Sequence, residues 1–170
     1  ASAVLHNALL KSPFDQALLA TQSIAWRLLD DPREQWLCDY DRFVWRIKLR
    51  DDHLAALEQY LRGTHQNRRE PLRQSLKNGT QTSGNLLGRN VDVLNQTRAS
   101  IVTGLSTYLD AFSTDDSHPF LARRSNAIRF AGSWSVLLQD GGRHSNHFHQ
   151  EGWISSAYYI SLPTKTPDDA

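Results

Sequence analysis

Methionine is absent from all 170 residues, position 1 included, and cysteine occurs once. A lone cysteine excludes an internal disulfide and a cysteine-built zinc cluster, and it suits a reducing cytoplasm. Cys38 sits between Leu37 and Asp39, with Trp36 and Tyr40 two positions away on either side. That setting reads as a buried, inert thiol rather than a nucleophile. The missing methionine makes the chain look like a piece of a longer protein. No apolar run approaches the roughly 20 residues that span a bilayer, and no basic-then-apolar leader opens the chain. A cytoplasmic protein with no membrane partner is therefore expected. Charge of one sign is lacking too: 19 lysines and arginines face 18 aspartates and glutamates, so no global field draws the chain to nucleic acid. The basic group Arg68, Arg69, Arg73 and Lys77 is interrupted by Glu70 and Pro71 and reads as a solvated loop. Repeats and low-complexity stretches are also absent.

What is present is enough apolar material for a real core, with 39% hydrophobic and 22% charged residues. Residues 13–30 have helical spacing of Ala17/Leu18, Ile24/Ala25 and Leu28/Leu29, stopped by Asp30-Asp31-Pro32. Glu34 to Tyr40 predicts a short second helix. Arg42 to Leu49 alternates, with Phe43, Trp45, Ile47 and Leu49 on one side, and predicts a half-buried strand. Asp51 or Asp52 then caps a helix carrying Leu54, Leu57 and Leu61. Residues 64–90 read as a long turn-rich loop centred on Asn78 to Thr82, with Gln81 and Thr82 as candidate substrate contacts. The clearest helix follows, with Leu94, Ile101, Leu105, Tyr108 and Phe112 in a stripe. The pattern then turns to strands: Gly132 to Gln139, a Gly141-Gly142 turn, and Trp153 to Leu162. Helices followed by closely spaced strands predict an α+β fold, divided as a helical region over 1–62 and a β domain over 63–170.

Chemistry concentrates in Gly141-Gly142-Arg143-His144-Ser145-Asn146-His147-Phe148-His149-Gln150-Glu151-Gly152-Trp153. His147 and His149 are two apart, so an extended backbone sends both imidazoles to one side. Two neutral imidazoles held that way are half of a metal site. A non-haem Fe(II) oxygenase uses three facial protein ligands, usually His-x-Asp/Glu plus a distant His. Here His147 takes the first position and His149 the acidic one, while Glu151 is next on the same side. The residues leave His149 and Glu151 both open as second ligand. A zinc site of His144, His147 and His149, or plain surface polarity, are the other readings.

Context adds to this. Gly132-Ser133-Trp134-Ser135-Val136-Leu137-Leu138, then His147-Phe148-His149, then Gly152-Trp153-Ile154-Ser155-Ser156-Ala157-Tyr158-Tyr159 form an ordered set. Upstream lie Ala25-Trp26-Arg27-Leu28-Leu29-Asp30-Asp31-Pro32, Trp36-Leu37-Cys38-Asp39-Tyr40-Asp41, Pro71-Leu72-Arg73-Gln74-Ser75-Leu76 and Gly79-Thr80-Gln81-Thr82. Together they resemble the 2-oxoglutarate/Fe(II) oxygenases of bacteria, in particular the branch often fused behind tetratricopeptide repeats. The resemblance implies N-terminal helices packed on a partial double-stranded β-helix, a jelly roll with its metal in one mouth. It implies Fe(II) and 2-oxoglutarate as cofactors, His147 as first iron ligand, and Tyr159 reaching the cosubstrate carboxylate, with Ser155 on the same face. It also implies hydroxylation of a peptide or small-molecule substrate. Two departures stand out: His149 replaces the family's aspartate, and nothing after Tyr159 supplies the distal histidine or the cosubstrate-pairing arginine. An interaction scaffold and a cupin-type metal protein are the competing classes.

Overall fold

A computed structural model of the chain describes residues 2–50, 52–66 and 75–162. It is mixed helix and sheet. The contacts divide it into two compact units: one of 1–49, 101–131 and 146–153, the other of 50–100, 132–145 and 154–170.

The first unit opens with α1 (Ser2–Lys11) and α2 (Gln16–Leu28), which pack together. Asp15 starts α2, its carboxylate accepting from the Leu18 amide at 3.0 Å, the usual satisfaction of an orphan N-terminal donor. The Asp30-Asp31-Pro32 stop behaves as expected, with Asp30 in the left-handed region at φ 50°. The short second helix arrives as α3 (Arg33–Cys38) and α4 (Tyr40–Phe43). Cys38, expected to be buried, is half-buried, and that partial burial raises its thiol above the ordinary value.

Arg42–Leu49 is not a strand: after α4 no strand forms before residue 50. The alternation is real, but its partner is a helix. Trp45 meets the rings of Tyr108 and Phe112 at 5.4 and 5.9 Å, and Leu49 and Ile47 cover Gly104, where a Cβ would lie 2.6 Å from Leu49 Cδ2. All three positions belong to the far half of the long helix or just past it. Around them Phe43, Phe112, His118 and Phe120 complete an aromatic cluster with ring centres 5.1 to 6.5 Å apart. A 3₁₀ turn, Leu121–Arg123, follows.

The second unit is aliphatic. α5 (Leu54–His65) buries Leu57, Leu61 and His65 on one face at i, i+4 and i+8. The expected acidic cap is absent: Asp52 spends its carboxylate on Arg50 at 2.8 and 2.9 Å, His53 is the N-cap residue, and Asp51 lies outside the described residues. The expected loop contains a strand. β1 (Leu76–Gln81) pairs antiparallel with β2 (Val136–His144), and Asn78 to Gln81, expected at the loop's centre, lie within β1. Of the basic group, Lys77 is on β1 and the three arginines lie outside the described residues.

β2 starts at Val136 rather than Gly132. It runs on past Gln139 to His144, because Gly141-Gly142 is a bulge in the strand rather than a turn. Leu76 and Lys77 pair with His144 and Arg143, but Gly79 pairs with Leu138, so Asn78 alone faces Gln139 to Gly142. Asn78 and Gly141 both have positive φ, 51° and 71°, and Asn78 Nδ2 donates to the Asp140 carbonyl at 2.6 Å. A Cβ on Gly142 would stand 2.4 Å from Asn78 O, which is why glycine occupies it.

α6 (Asp92–Asp110) is the helix of the clear stripe, and the division between units falls within it. Its first half gives Leu94, fully buried with Leu57, Leu61 and Leu86, with Tyr60, Val91, Val93, Tyr158 and Ile160 packed against them. The expected strand over Trp153 to Leu162 does not form: 153–162 carry no strand, and with 163–170 undescribed, the described residues hold a two-stranded ribbon. Among the described residues no helix is long and apolar enough to cross a membrane.

Candidate functional site

The end of β2 is fastened before the histidine pair begins. Ser145 N donates to Ser75 O at 2.8 Å, and His144 Nδ1 lies 3.0 Å from Ser75 Oγ. Residues 146–153 then belong to the first unit, although both flanks belong to the second. His147 is exposed and His149 half-buried. Their ring centres are 5.0 Å apart with planes at 81°, so the two-residue spacing does bring the imidazoles together. Two imidazoles bound side by side on one ion, each with a metal–nitrogen distance of about 2.1 Å, have ring centres about 4.5 to 5.5 Å apart, a range that ordinary ring–ring contact shares. The observed separation suits that arrangement. Glu151 is exposed. Among the described residues no group of three or more His, Cys, Asp or Glu is placed to hold a metal, so the trio of His144, His147 and His149 does not assemble.

Four residues beyond His149 the segment is pinned. Trp153 Nε1 donates to the Phe120 carbonyl at 2.9 Å, and its ring lies 5.2 Å from that of Phe120. Phe120 is itself held from the other side. Its amide donates to His118 Nδ1 at 3.2 Å, and the Leu121 amide lies 3.4 Å from the same nitrogen. With Nδ1 accepting, the proton of neutral His118 is on Nε2, which donates to the Trp36 carbonyl at 3.0 Å. His118 is only 2% exposed.

The cosubstrate candidates lie in the second unit. Ser155 and Ala157 are exposed, and Tyr159 is 71% exposed, while Tyr158 and Ile160 pack on the leucine cluster. Tyr158 and Tyr159 thus point to opposite sides, as period-two counting requires. Gln81 and Thr82 do not fold over a site. Gln81 pairs with Val136, and Thr82, 2% exposed, donates its amide to Ser135 O and accepts the Ser135 amide on Oγ1, both at 2.9 Å.

The family comparison falls on this same stretch. Residues 132–170 match a family model described as a 2OG-Fe(II) oxygenase. The match takes in β2, the histidine pair, Trp153, Ser155 and Tyr159, under a quarter of the chain. No curated protein and no solved structure matches. Against that family's needs, the described residues offer two imidazoles at a fitting separation and no third donor.

His118 and Ser75 were not legible as site-related. His118 stands in Asp115-Asp116-Ser117-His118-Pro119-Phe120, a stretch without helical or strand period, and its partners are backbone atoms, which no spacing of residue types reveals. Its one available signal was proximity to Pro119 and Phe120, and that does not separate it from any loop histidine.

Proposed function

We propose that the chain carries the ligand-bearing part of a 2-oxoglutarate/Fe(II)-dependent oxygenase of the hydroxylating kind, with His147 and His149 as two protein donors to the iron. The observation that supports this is the pairing of those imidazoles, at a separation suited to one ion, inside the stretch that matches the family. Bound there, iron and 2-oxoglutarate would supply the oxidation chemistry. The chain's own part is to present two neutral nitrogen donors on one side, with Tyr159 and Ser155 on the cosubstrate and a peptide or small molecule as substrate. His149 in place of a carboxylate leaves the donor set one negative charge poorer, which weakens its hold on a divalent cation. The jelly-roll surround, a cytoplasmic setting and fusion to helical repeats belong to the same proposal. Neither an interaction scaffold nor a cupin site gains an observation from the structure.

The test is a Mn(II) titration of this chain, followed by calorimetry or the spectrum of the bound ion. His147→Ala and His149→Ala abolish binding on this reading, Glu151→Ala leaves it unchanged, and His149→Asp tightens it. Equal weak binding by the parent and His147→Ala removes the metal assignment. Loss on Glu151→Ala but not on His149→Ala transfers the second position to Glu151. 2-Oxoglutarate added to the Mn(II)-loaded chain then tests Tyr159, whose replacement by Phe is expected to weaken cosubstrate binding.

A further inference from the structure

We infer that Trp153 is a positioning residue for the histidine pair, acting through Phe120 and the buried imidazole of His118. Where the inference concerns metal, it rests on the oxygenase reading above; where it concerns the order of the segment, it does not. Residues 146–153 form no helix or strand, so their backbone order has to come from elsewhere. Freezing an irregular backbone costs conformational entropy at every residue ordered. A segment that must be frozen when an ion arrives charges that cost against affinity, whereas one already held does not.

The hold is a continuous relay within the first unit. The Trp36 carbonyl of α3 accepts from His118 Nε2, His118 Nδ1 accepts from the Phe120 amide, and the Phe120 carbonyl accepts from Trp153 Nε1 at 2.9 Å. Phe120 is therefore fixed at both its amide and its carbonyl. Its ring lies against Phe43 at 5.1 Å and Trp153 at 5.2 Å, and Trp36 lies edge-on to His118 at 4.9 Å. Each bond in the relay joins a side chain to a backbone group of a non-strand segment, so none is replaced by a ladder if it is lost. Trp153 is the last member and the one that shares its short segment with His147 and His149.

This assigns two separable duties to one side chain. The indole ring supplies packing, and the indole N–H sets where the segment attaches. Trp153→Phe keeps an aromatic ring near Phe120 while removing the donor and part of the ring's volume, so it disturbs packing less than Trp153→Ala and is the variant that best reads position. Its Mn(II) affinity should fall below the parent's because the segment must then be ordered on binding, with Trp153→Ala lower still. A second route is metal-free: backbone amide exchange at residues 147–150 should quicken in Trp153→Phe while amides of α6 stay as they are. Tyr108→Phe is the control, since it removes another aromatic side chain's hydrogen bond in the same cluster, from the Tyr108 hydroxyl to Phe43 O at 2.8 Å.

Weaker Mn(II) binding and faster exchange in Trp153→Phe, with Tyr108→Phe matching the parent in both, supports the assignment. Unchanged exchange at 147–150 in Trp153→Phe overturns it, whatever happens to metal. Equal loss of Mn(II) affinity in Tyr108→Phe also overturns it, because the effect would then be general loosening of the cluster. If the parent chain binds no Mn(II), the metal assignment fails separately, and faster exchange in Trp153→Phe still supports the anchor.

Discussion

The two units solve the same problem, burying apolar surface, with different materials. The second unit packs Leu57, Leu61, Leu86 and Leu94, mostly from regular helix, and pairs its extended backbone in the β1–β2 ribbon. The first packs rings, largely from irregular segments, and those segments have no strand partner among the described residues. Carbonyls of its short helices and of Phe120 are taken by aromatic side chains: Trp45 on Arg42 and Tyr108 on Phe43 in α4, His118 on Trp36 in α3, and Trp153 on Phe120. An aliphatic core asks for volume and is tolerant of direction. The ring core carries donors that must each meet one carbonyl. The histidine pair is attached to the unit whose order depends on directed bonds, and so it inherits that sensitivity.

The largest expected effects separate the two cores. Phe112→Ala, in the ring cluster at 7% exposure, should cost about 4 kcal/mol, and Leu94→Ala, at 0% exposure, about 3 kcal/mol. Urea denaturation measures both. The comparison sharpens if amide exchange places the Phe112→Ala loosening at 101–131 and the Leu94→Ala loosening at 54–65. It breaks if Phe112→Ala costs under about 0.5 kcal/mol, the range of a surface change, since the rings would then not be a core. Next in size, Gly142→Ala should cost about 2 kcal/mol, because its methyl meets backbone at Asn78 O and Gln139 O rather than a side chain that can swing away. A neutral result in the same denaturation assay would mean the bulge opposite Asn78 is adaptable.

The bond from Tyr108 to Phe43 O gives a smaller effect with a pH signature. Tyr108→Phe should cost about 1 kcal/mol at neutral pH. Burial raises the Tyr108 phenol above its ordinary value, which is about 10. The folded chain therefore keeps a proton that the unfolded chain releases. The stability this confers is complete below pH about 10 and is lost as pH rises through the folded value. Thermal unfolding between neutral and alkaline pH should show a steeper alkaline decline for the parent than for Tyr108→Phe. Parallel declines would show that the phenol is not held neutral by the cluster.

The sequence pattern was a good guide in α5 and α6, where burial follows a helical period. α2 forms where its spacing put it and Asp30-Asp31-Pro32 stops it, but Ile24, Leu28 and Leu29 of its apolar stripe are exposed and the residue it buries is Gln22. It misled where an alternating pattern met a partner of another kind. Trp45, Ile47 and Leu49 alternate because they lie against Gly104 and Tyr108 of a helix, and alternation alone does not say what is opposite. Gly141-Gly142 looked like a turn because turns and bulges need the same conformational freedom. The closeness of His147 and His149 followed from a spacing of two. The Trp153–Phe120–His118 relay was invisible because it runs through backbone atoms of residues far apart in the chain.

The smallest effect sets a lower bound on how much the leucine unit depends on detail. Gly63 lies inside α5, and a Cβ placed there meets nothing within 4 Å. Alanine loses less backbone freedom than glycine on entering a helix, so Gly63→Ala should stabilise the chain by about 0.5–1 kcal/mol. Gly104, in α6 of the ring unit, is the counterpart: the same substitution drives a methyl against Leu49 Cδ2, and its sign reverses unless that side chain gives way. Melting temperatures of the two variants decide the matter, with Gly63→Ala above the parent and Gly104→Ala below it. Two upward shifts would mean that the segment of Trp45, Ile47 and Leu49 can be displaced at little cost, and the extended chain would then lie on α6 without being fixed there. Opposite shifts would place the constraint in the ring unit, on an irregular segment whose order depends on what it touches.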